Sequence, residues 1–249
     1  MIILLTNDDG FDSPGLRAMK DALAGHEIWI VAPDGERSGT SHSITIKDPV
    51  RFTRMGEREY ACRGTPADCI LFSFLGAVPV KPDLVISGIN IGPNLGTDIL
   101  YSGTAAAARQ AALMGCAAIA VSLNTFTPPF RFAAAASFIS ANIELFASLW
   151  SDDHFINVNV PNGENPGGIA ITHPSKRIYE DKAVSFSSPS GHSYYFLSGS
   201  FIGAHAEEGS DWEAVSSNNV SVSPIYLHPV NMTIEDRYRK VSFREGGQG

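Results

Sequence analysis

The sequence predicts an α/β fold: a Rossmann-like, mostly parallel sheet flanked by helices, with a β-rich C-terminal extension. Three observations carry the prediction. Short β-branched apolar runs alternate with helical segments over the first two thirds of the 249 residues, the pattern of successive βαβ units. The helical segments open with capping chemistry. After about Pro161 the chain changes to Gly, Ser and Pro punctuation between further strand-like pieces.

Taken in order, Ile2–Thr6, Glu27–Ala32, Asp83–Ser87, Ala117–Leu123 and Phe155–Val160 read as strands. Ser13-Pro14 sets an N-cap before proline at the first helical position, and Leu16, Met19 and Leu23 keep a helical spacing. Thr65-Pro66 repeats the device, with Asp68 placed for a capping box. Ser102-Gly103-Thr104 opens a third helix, Ala105 to Met114, which Gly115 stops. Phe132 to Trp150 is apolar enough to suggest a membrane span, but Asn142 and Glu144 favour a buried amphipathic helix. Ser193–Leu197 and Val220–Ile225 are strand-like pieces of the extension. The expected division is a catalytic core over 1–161 and a β-hairpin and C-terminal extension over 162–249, packed together as one domain. The aromatic run Tyr194-Tyr195-Phe196 points to contact with another subunit.

Composition narrows the function classes. An apolar content of 44% fills a proper core. The balance of 18 basic against 26 acidic residues, net −8, with no Lys/Arg cluster, argues against polymeric nucleic acid and anionic membrane as partners. Cys62, Cys69 and Cys116 are odd in number and widely spaced, so neither a disulfide framework nor a zinc knuckle is expected. Met1 leads straight into an apolar run with no basic segment before it. The expected location is the cytoplasm.

Ligands of open parallel sheets bind beyond the carboxyl ends of the strands, so the residues there are the candidates for chemistry. After the first strand comes Asn7-Asp8-Asp9-Gly10. Two adjacent carboxylates at the end of an apolar strand repel one another, and a divalent cation removes the conflict. Oxygen donors of this kind suit Mg²⁺ or Mn²⁺ rather than zinc. The same four residues are also a good polar turn with an Asx motif.

After the second strand lies a long polar loop from Asp34 to Ser43. In it Ser38 offers the ion a neutral oxygen, Arg37 a partner for phosphate or carboxylate, and His42 either a general acid or, better supported, a hydrogen-bonded surface histidine. After the third strand, Asn90 and Asn94 offer amides, and glycines 88, 92 and 96 let backbone approach a ligand. The helix start at Ser102 to Thr104 aims N–H groups, hydroxyls and a positive dipole end at an anion, for which phosphate is the natural occupant.

No G-x-G-x-x-G, Walker loop or G-x-S-x-G elbow occurs. The haloacid-dehalogenase pattern needs aspartates two apart, and here Asn7 precedes Asp9 by two. Three polar loops after three successive strands nonetheless converge on metal plus phosphate.

These residues resemble the SurE family of 5′/3′-nucleotidases. The matching stretches are Leu4–Gly10, Ala32-Pro33-Asp34 with Arg37-Ser38-Gly39, Gly64–Cys69, Ser87–Asn90 with Gly92–Gly96, Tyr101–Thr104 and Asn157–Pro161. The resemblance implies one divalent metal ion per subunit, Mg or Mn, held at Asp8, Asp9, Ser38 and Asn90. It also implies phosphate or substrate contacts from Asn7, Gly39, Asn94, Ser102, Gly103 and Thr104, and hydrolysis of nucleoside monophosphates. A homodimer or homotetramer built partly by exchange of C-terminal segments is implied as well. The tail departs from the family's usual run: Val220–Ile225 reads Val-Ser-Val-Ser-Pro-Ile, and His228-Pro229-Val230 follows, so tail contacts are not carried over.

The expected reaction is therefore phosphate monoester hydrolysis with Asp8, Asp9 and Asn90 at the reacting centre. Whether an aspartate serves as nucleophile, base or ligand is open at this stage. The rival expectations are a phosphatase of short polyphosphate or other small phosphate esters using the same site, and a non-catalytic nucleotide-binding regulator.

Overall fold

The computed structural model describes residues 1–204, 207–228 and 232–242. Strands β1 (Ile2–Thr6), β2 (Glu27–Pro33), β3 (Phe52–Arg54), β4 (Glu59–Cys62), β5 (Leu84–Ile91), β6 (Ala117–Asn124), β7 (His154–Pro161), β8 (Gly168–Ile171) and β11 (Asn219–Tyr226) form one nine-stranded sheet. Its order is β3-β4-β2-β1-β5-β6-β7-β11-β8. The run from β4 to β7 is parallel, whereas β3 pairs antiparallel with β4, and β11 with β7.

The parallel strands are largely apolar because both of their faces are covered, with buried polar exceptions at Thr6, Ser87, Ser122, Asn157 and Asn159. Ile3 and Leu5 point into one core layer with Ile30, Ile86, Ile119 and Val121, and α1 (Pro14–Ala22) and α4 (Phe132–Leu149) cover it. Leu4, Val31, Val85 and Ala118 point into the other, which α2 (Pro66–Phe72) and α3 (Gly103–Leu113) cover. Alternation along a strand produces the two layers. On α3, Ala105 to Ala108, Ala111 and Ala112 are all buried, and their small side chains let the helix lie close to the sheet.

The helix starts agree with their sequence signatures in two cases of three. Thr65 and Asp68 form a full capping box on α2, and Ser102 accepts from the Ala105 N–H on α3. Ser13 precedes α1 without a side-chain capping bond. Helix α4 is the one helix among the described residues long and apolar enough to cross a membrane. Its stripe of Ala135, Ala136, Ile139, Ile143 and Phe146 is instead buried against the sheet.

Several elements differ from the sequence reading. The strand expected to end at Ser87 runs to Ile91, past an irregularity between Ser87 and Asn90. The short strands β3, at the edge of the sheet, and β4, between β3 and β2, were not expected. Val220–Ile225, read as part of the extension, is the heart of β11 and joins the main sheet beside β7, so the sheet continues across the division expected at Pro161. The part standing apart is the hairpin of β9 (Arg177–Ser187) and β10 (Ser193–Ala204), a separate two-stranded sheet. Short helices α5 (Asp211–Ser216) and α6 (Met232–Arg239) complete the elements of the described residues. The tail departure at Pro229 and Val230 lies outside the described residues.

Candidate active site

Strand β1 pairs with β2 on one side and β5 on the other, so the chain leaves in opposite directions from its two neighbours and opens a crevice at its carboxyl end. The turn Asn7–Gly10 lies there. Asn7 Nδ2 donates to the Gly10 carbonyl at 2.9 Å, and the Gly10 N–H donates to Asn7 Oδ1 at 3.2 Å. Gly10 has φ +104, and a Cβ there would stand 3.0 Å from the Gly35 backbone. Asn7, expected among the substrate contacts, braces the turn. The turn motif and the paired carboxylates are both real and use different residues.

Asp8 is only 4% exposed and lies under the first turn of α3. The Thr104 hydroxyl donates to its Oδ1. Burial raises its pKa, and hydrogen bonds from the Thr104 side chain and the Thr104 and Gly103 backbone act against the rise. Gly103 leaves no room for a side chain, since a Cβ would come within 2.8 Å of Asp8 Cβ and 3.0 Å of Pro66 Cγ. The helix start expected to hold phosphate thus holds the carboxylate of Asp8. Ser102 is occupied as the N-cap and Thr104 as a donor to Asp8. An electropositive helix end specifies an anion, not which anion.

Asp9 turns the other way. Its Oδ2 accepts from the Ile91 N–H at 3.3 Å. Burial, then the charges of Asp8 and Glu36, push its pKa up to about 7. With Ser13, Pro14, Glu36, Ser38, Ile91 and Phe126 it lines a cleft of about 510 Å³. Ser38, as expected, reaches this cleft, where its hydroxyl donates to Glu36 Oε1 at 3.1 Å. Gly39 is exposed beside it at φ +72. Asn90, at the end of β5, donates its amide to the Gly92 carbonyl at 2.8 Å. The expected metal set is therefore gathered around the ends of β1, β2 and β5.

Asn94 has a bracing role here. Its amide donates to Ser122 Oγ at 2.8 Å, its N–H to Asn159 Oδ1 at 2.8 Å, and its carbonyl accepts from Asn157 and Asn159. The glycines after β5 make room for protein, not for ligand. A Cβ at Gly88 would meet the Val121 carbonyl at 2.2 Å, at Gly92 the Phe126 ring at 2.2 Å, and at Gly96 the Ser175 carbonyl at 1.9 Å. Arg37 pairs with Asp34 at 2.7 Å. His42 meets Gln110 Oε1 at 2.9 Å, and burial lowers its pKa, which supports the reading of a hydrogen-bonded histidine.

No group of three or more His, Cys, Asp or Glu side chains gathers among the described residues. The donors at this site are two carboxylates, a hydroxyl and an amide. Among the described residues neither aspartate has a cationic side chain as partner, and a cation would relieve the repulsion between the two carboxylates. All-oxygen donors with few protein ligands fit a hard cation that keeps several waters. A larger groove of about 840 Å³ lies beside α4. Its charged lining residues, Arg131 and Glu164, pair with each other, so it lacks comparable chemistry. Glu36 and Phe126 are cleft residues that sequence reasoning missed, and so, outside the cleft, is Asp211, whose buried carboxylate accepts from the Gly96 and Ser175 N–H groups. Only Glu36, between Asp34 and Arg37 in the loop, had a signal to follow.

Comparison with known proteins agrees with this geometry. The family description "Survival protein SurE" matches residues 3–181. The 5′-nucleotidase SurE of Geotalea uraniireducens (strain Rf4) is 44% identical over 236 residues, covering 93% of this chain and 95% of that protein. That of Anaeromyxobacter sp. (strain Fw109-5) is 42% identical over 233 residues, covering 91% and 90%. The crystal structure of the SurE protein from Aquifex aeolicus superposes with a TM-score of 0.84 at 36% identity, covering 96% of this chain and 98% of that one. With the same fold, and identity this high over nearly the full length, the chain belongs to the SurE family.

Proposed function

We propose that this chain is a metal-dependent phosphomonoesterase that hydrolyses nucleoside 5′-monophosphates, and 3′-monophosphates with them, to nucleoside and phosphate. The observation that carries the reading is the pair Asp8 and Asp9, buried or half-buried at the switch point of the sheet, both with raised pKa and, among the described residues, no cationic side chain as partner. The relatives named 5′-nucleotidase SurE support the substrate class. In this reading Asp8, Asp9, Ser38 and Asn90 hold one Mg²⁺ or Mn²⁺ ion. When bound, the ion supplies positive charge to the phosphoryl oxygens.

The chain's own residues do the positioning. Thr104 and Gly103 fix the Asp8 carboxylate, Ser102 caps the helix that carries them, Asn7 holds the turn, and Asn94 ties the loop after β5 to β6 and β7. The exposed backbone at Gly39 is left to meet the phosphate. The nine-stranded sheet forms the catalytic unit. The hairpin Arg177–Ala204, with Tyr194, Tyr195, Phe196 and Leu197 exposed, assembles a homodimer or homotetramer in the cytoplasm.

The direct test is phosphate release from a panel of nucleoside monophosphates and short polyphosphate, with Mn²⁺, Mg²⁺ or a chelator. Turnover of the nucleotides that the chelator abolishes is the expected result. Preference for polyphosphate, or no metal-dependent turnover, overturns the proposal.

Protonation should compete with the ion. With Asp9 at about 7, each pH unit below 7 is expected to weaken cation affinity about tenfold for that one proton. Stability of the cation-free protein moves the same way as proton binding. A group whose folded pKa is raised contributes stability that is full below the ordinary carboxylate pKa and is lost as pH rises through about 7. The melting temperature gained on adding Mn²⁺ should therefore grow from pH 6 to pH 8, which calorimetry at the two pH values would measure. A gain independent of pH would separate the ion from these carboxylates.

A further inference from the structure

The cleft holding Asp9 has a chemically mixed lining. Asp9, Ser13, Glu36 and Ser38 give its lining a polar and acidic part, and Pro14, Ile91 and Phe126 an apolar part. Its volume of about 510 Å³ lies within the range of pockets that enclose a small organic ligand, far more room than an ion and a phosphate group need.

Phe126 is unusual within it. The ring is 72% exposed yet well placed. On one side it rests on Gly92, where a Cβ would stand 2.2 Å from the ring. The loop that carries it is braced by Thr125 N–H on the Leu123 carbonyl at 2.8 Å, Thr127 N–H on Thr125 Oγ1 at 3.2 Å, and Asn162 Nδ2 on the Pro129 carbonyl at 2.9 Å. A flat apolar surface is thus backed by Gly92, left largely open to water, and set in the lining of a cleft that also carries the carboxylates of Asp9 and Glu36. Stacking against a held aromatic costs little ordering, and any base offers a π face to it.

We propose that Phe126 is the base platform of the site: it stacks the nucleobase of a nucleoside monophosphate whose phosphate lies at the Asp8, Asp9, Ser38 and Asn90 end. This rests on the nucleotidase reading given above. Stacking reads size and not hydrogen-bond pattern, so the site accepts all bases and favours purines.

The test sets the KM for AMP against the inhibition constant of ribose 5-phosphate, which carries the same phosphate and sugar without a base, in wild type, F126A and F126W. In F126A the KM for AMP should rise about tenfold to a hundredfold more than the ribose 5-phosphate constant does, and F126W should restore it to within about threefold of wild type. If the two constants in F126A move together to within about twofold, or if F126W fails as badly as F126A, the stacking role is overturned and the nucleotidase reading stands. A wild type that turns over no nucleotide overturns both.

Discussion

Replacing Asp9 with Asn is expected to lower kcat/KM for a nucleoside monophosphate by about 10³-fold while making the cation-free protein more stable at pH 8. The substitution preserves shape, and an amide oxygen can still accept from the Ile91 N–H that Asp9 Oδ2 now accepts at 3.3 Å. What it removes is charge. That charge is disfavoured in the folded protein by burial and by the neighbouring charges of Asp8 and Glu36, so its loss relieves the fold. The same charge is half of what a cation at this point requires. Steady-state kinetics at saturating Mn²⁺ and thermal unfolding in chelator measure the two effects separately. Loss of activity together with a lower melting temperature would mean general damage, and activity within tenfold of wild type would remove Asp9 from the site. Opposed signs are the mark of a residue kept for function at the expense of stability.

Much of the fold was legible because the physics that forms it is local. Strands β1, β2 and β6 are buried on both faces, so each reads as a largely apolar run, and in β7 apolar residues alternate with Asn157 and Asn159. The capping box of Thr65 and Asp68 needs only four residues to form and to be seen. What was misread depended on distant chain. β11 was visible as a strand, but nothing within Val220–Ile225 states that its partner is β7 and not another piece of the extension. The break at Gly88 hid the last residues of β5, which carry Asn90. β3, at the sheet edge, and β4 beside it are short, and their mixed residues Phe52-Thr53-Arg54 and Glu59-Tyr60-Ala61-Cys62 carry no clear period.

The site divides in the same way. Acidic residues at a strand end and donors at a helix start are properties of sequence, and both were read. That the donors at Gly103 and Thr104 face Asp8 itself depends on how α3 lies across β1. Glycines 88, 92 and 96 were rightly seen as places of close approach. Their neighbours proved to be Val121, Phe126 and Ser175, because an open backbone position does not disclose what will fill it.

Asp211 shows how far the loop after β5 depends on distant support, and Asp211→Ala should have the largest effect on stability of the changes considered. Its side chain is fully buried at the start of α5. Oδ2 accepts from the Gly96 N–H at 2.7 Å and Oδ1 from the Ser175 N–H at 2.9 Å. Gly96 and Ser175 are pressed together, with no space for a Cβ between them, so water cannot readily replace the carboxylate. Truncation leaves two buried donors without an acceptor, each costing about 1–3 kcal/mol, or about 3 kcal/mol together at a moderate estimate for each. For a chain of this length that corresponds to a fall of about 6–12 °C in melting temperature. Asp211→Asn keeps one acceptor oxygen and should lose about half as much. The strain falls on the segment between Asn94 and Asp98, and Asp98 is the residue that anchors the hairpin through Arg177 at 3.3 Å and Tyr179 at 2.6 Å. Amide exchange at Gly96 and Ser175 should therefore quicken in Asp211→Ala under conditions where the core amides of β1 stay protected. If the two sets of amides quicken equally, Asp211 supports the whole fold. If only the first set does, the loop that carries Asn94 is a separately stabilised unit, held in place from the far end of the chain.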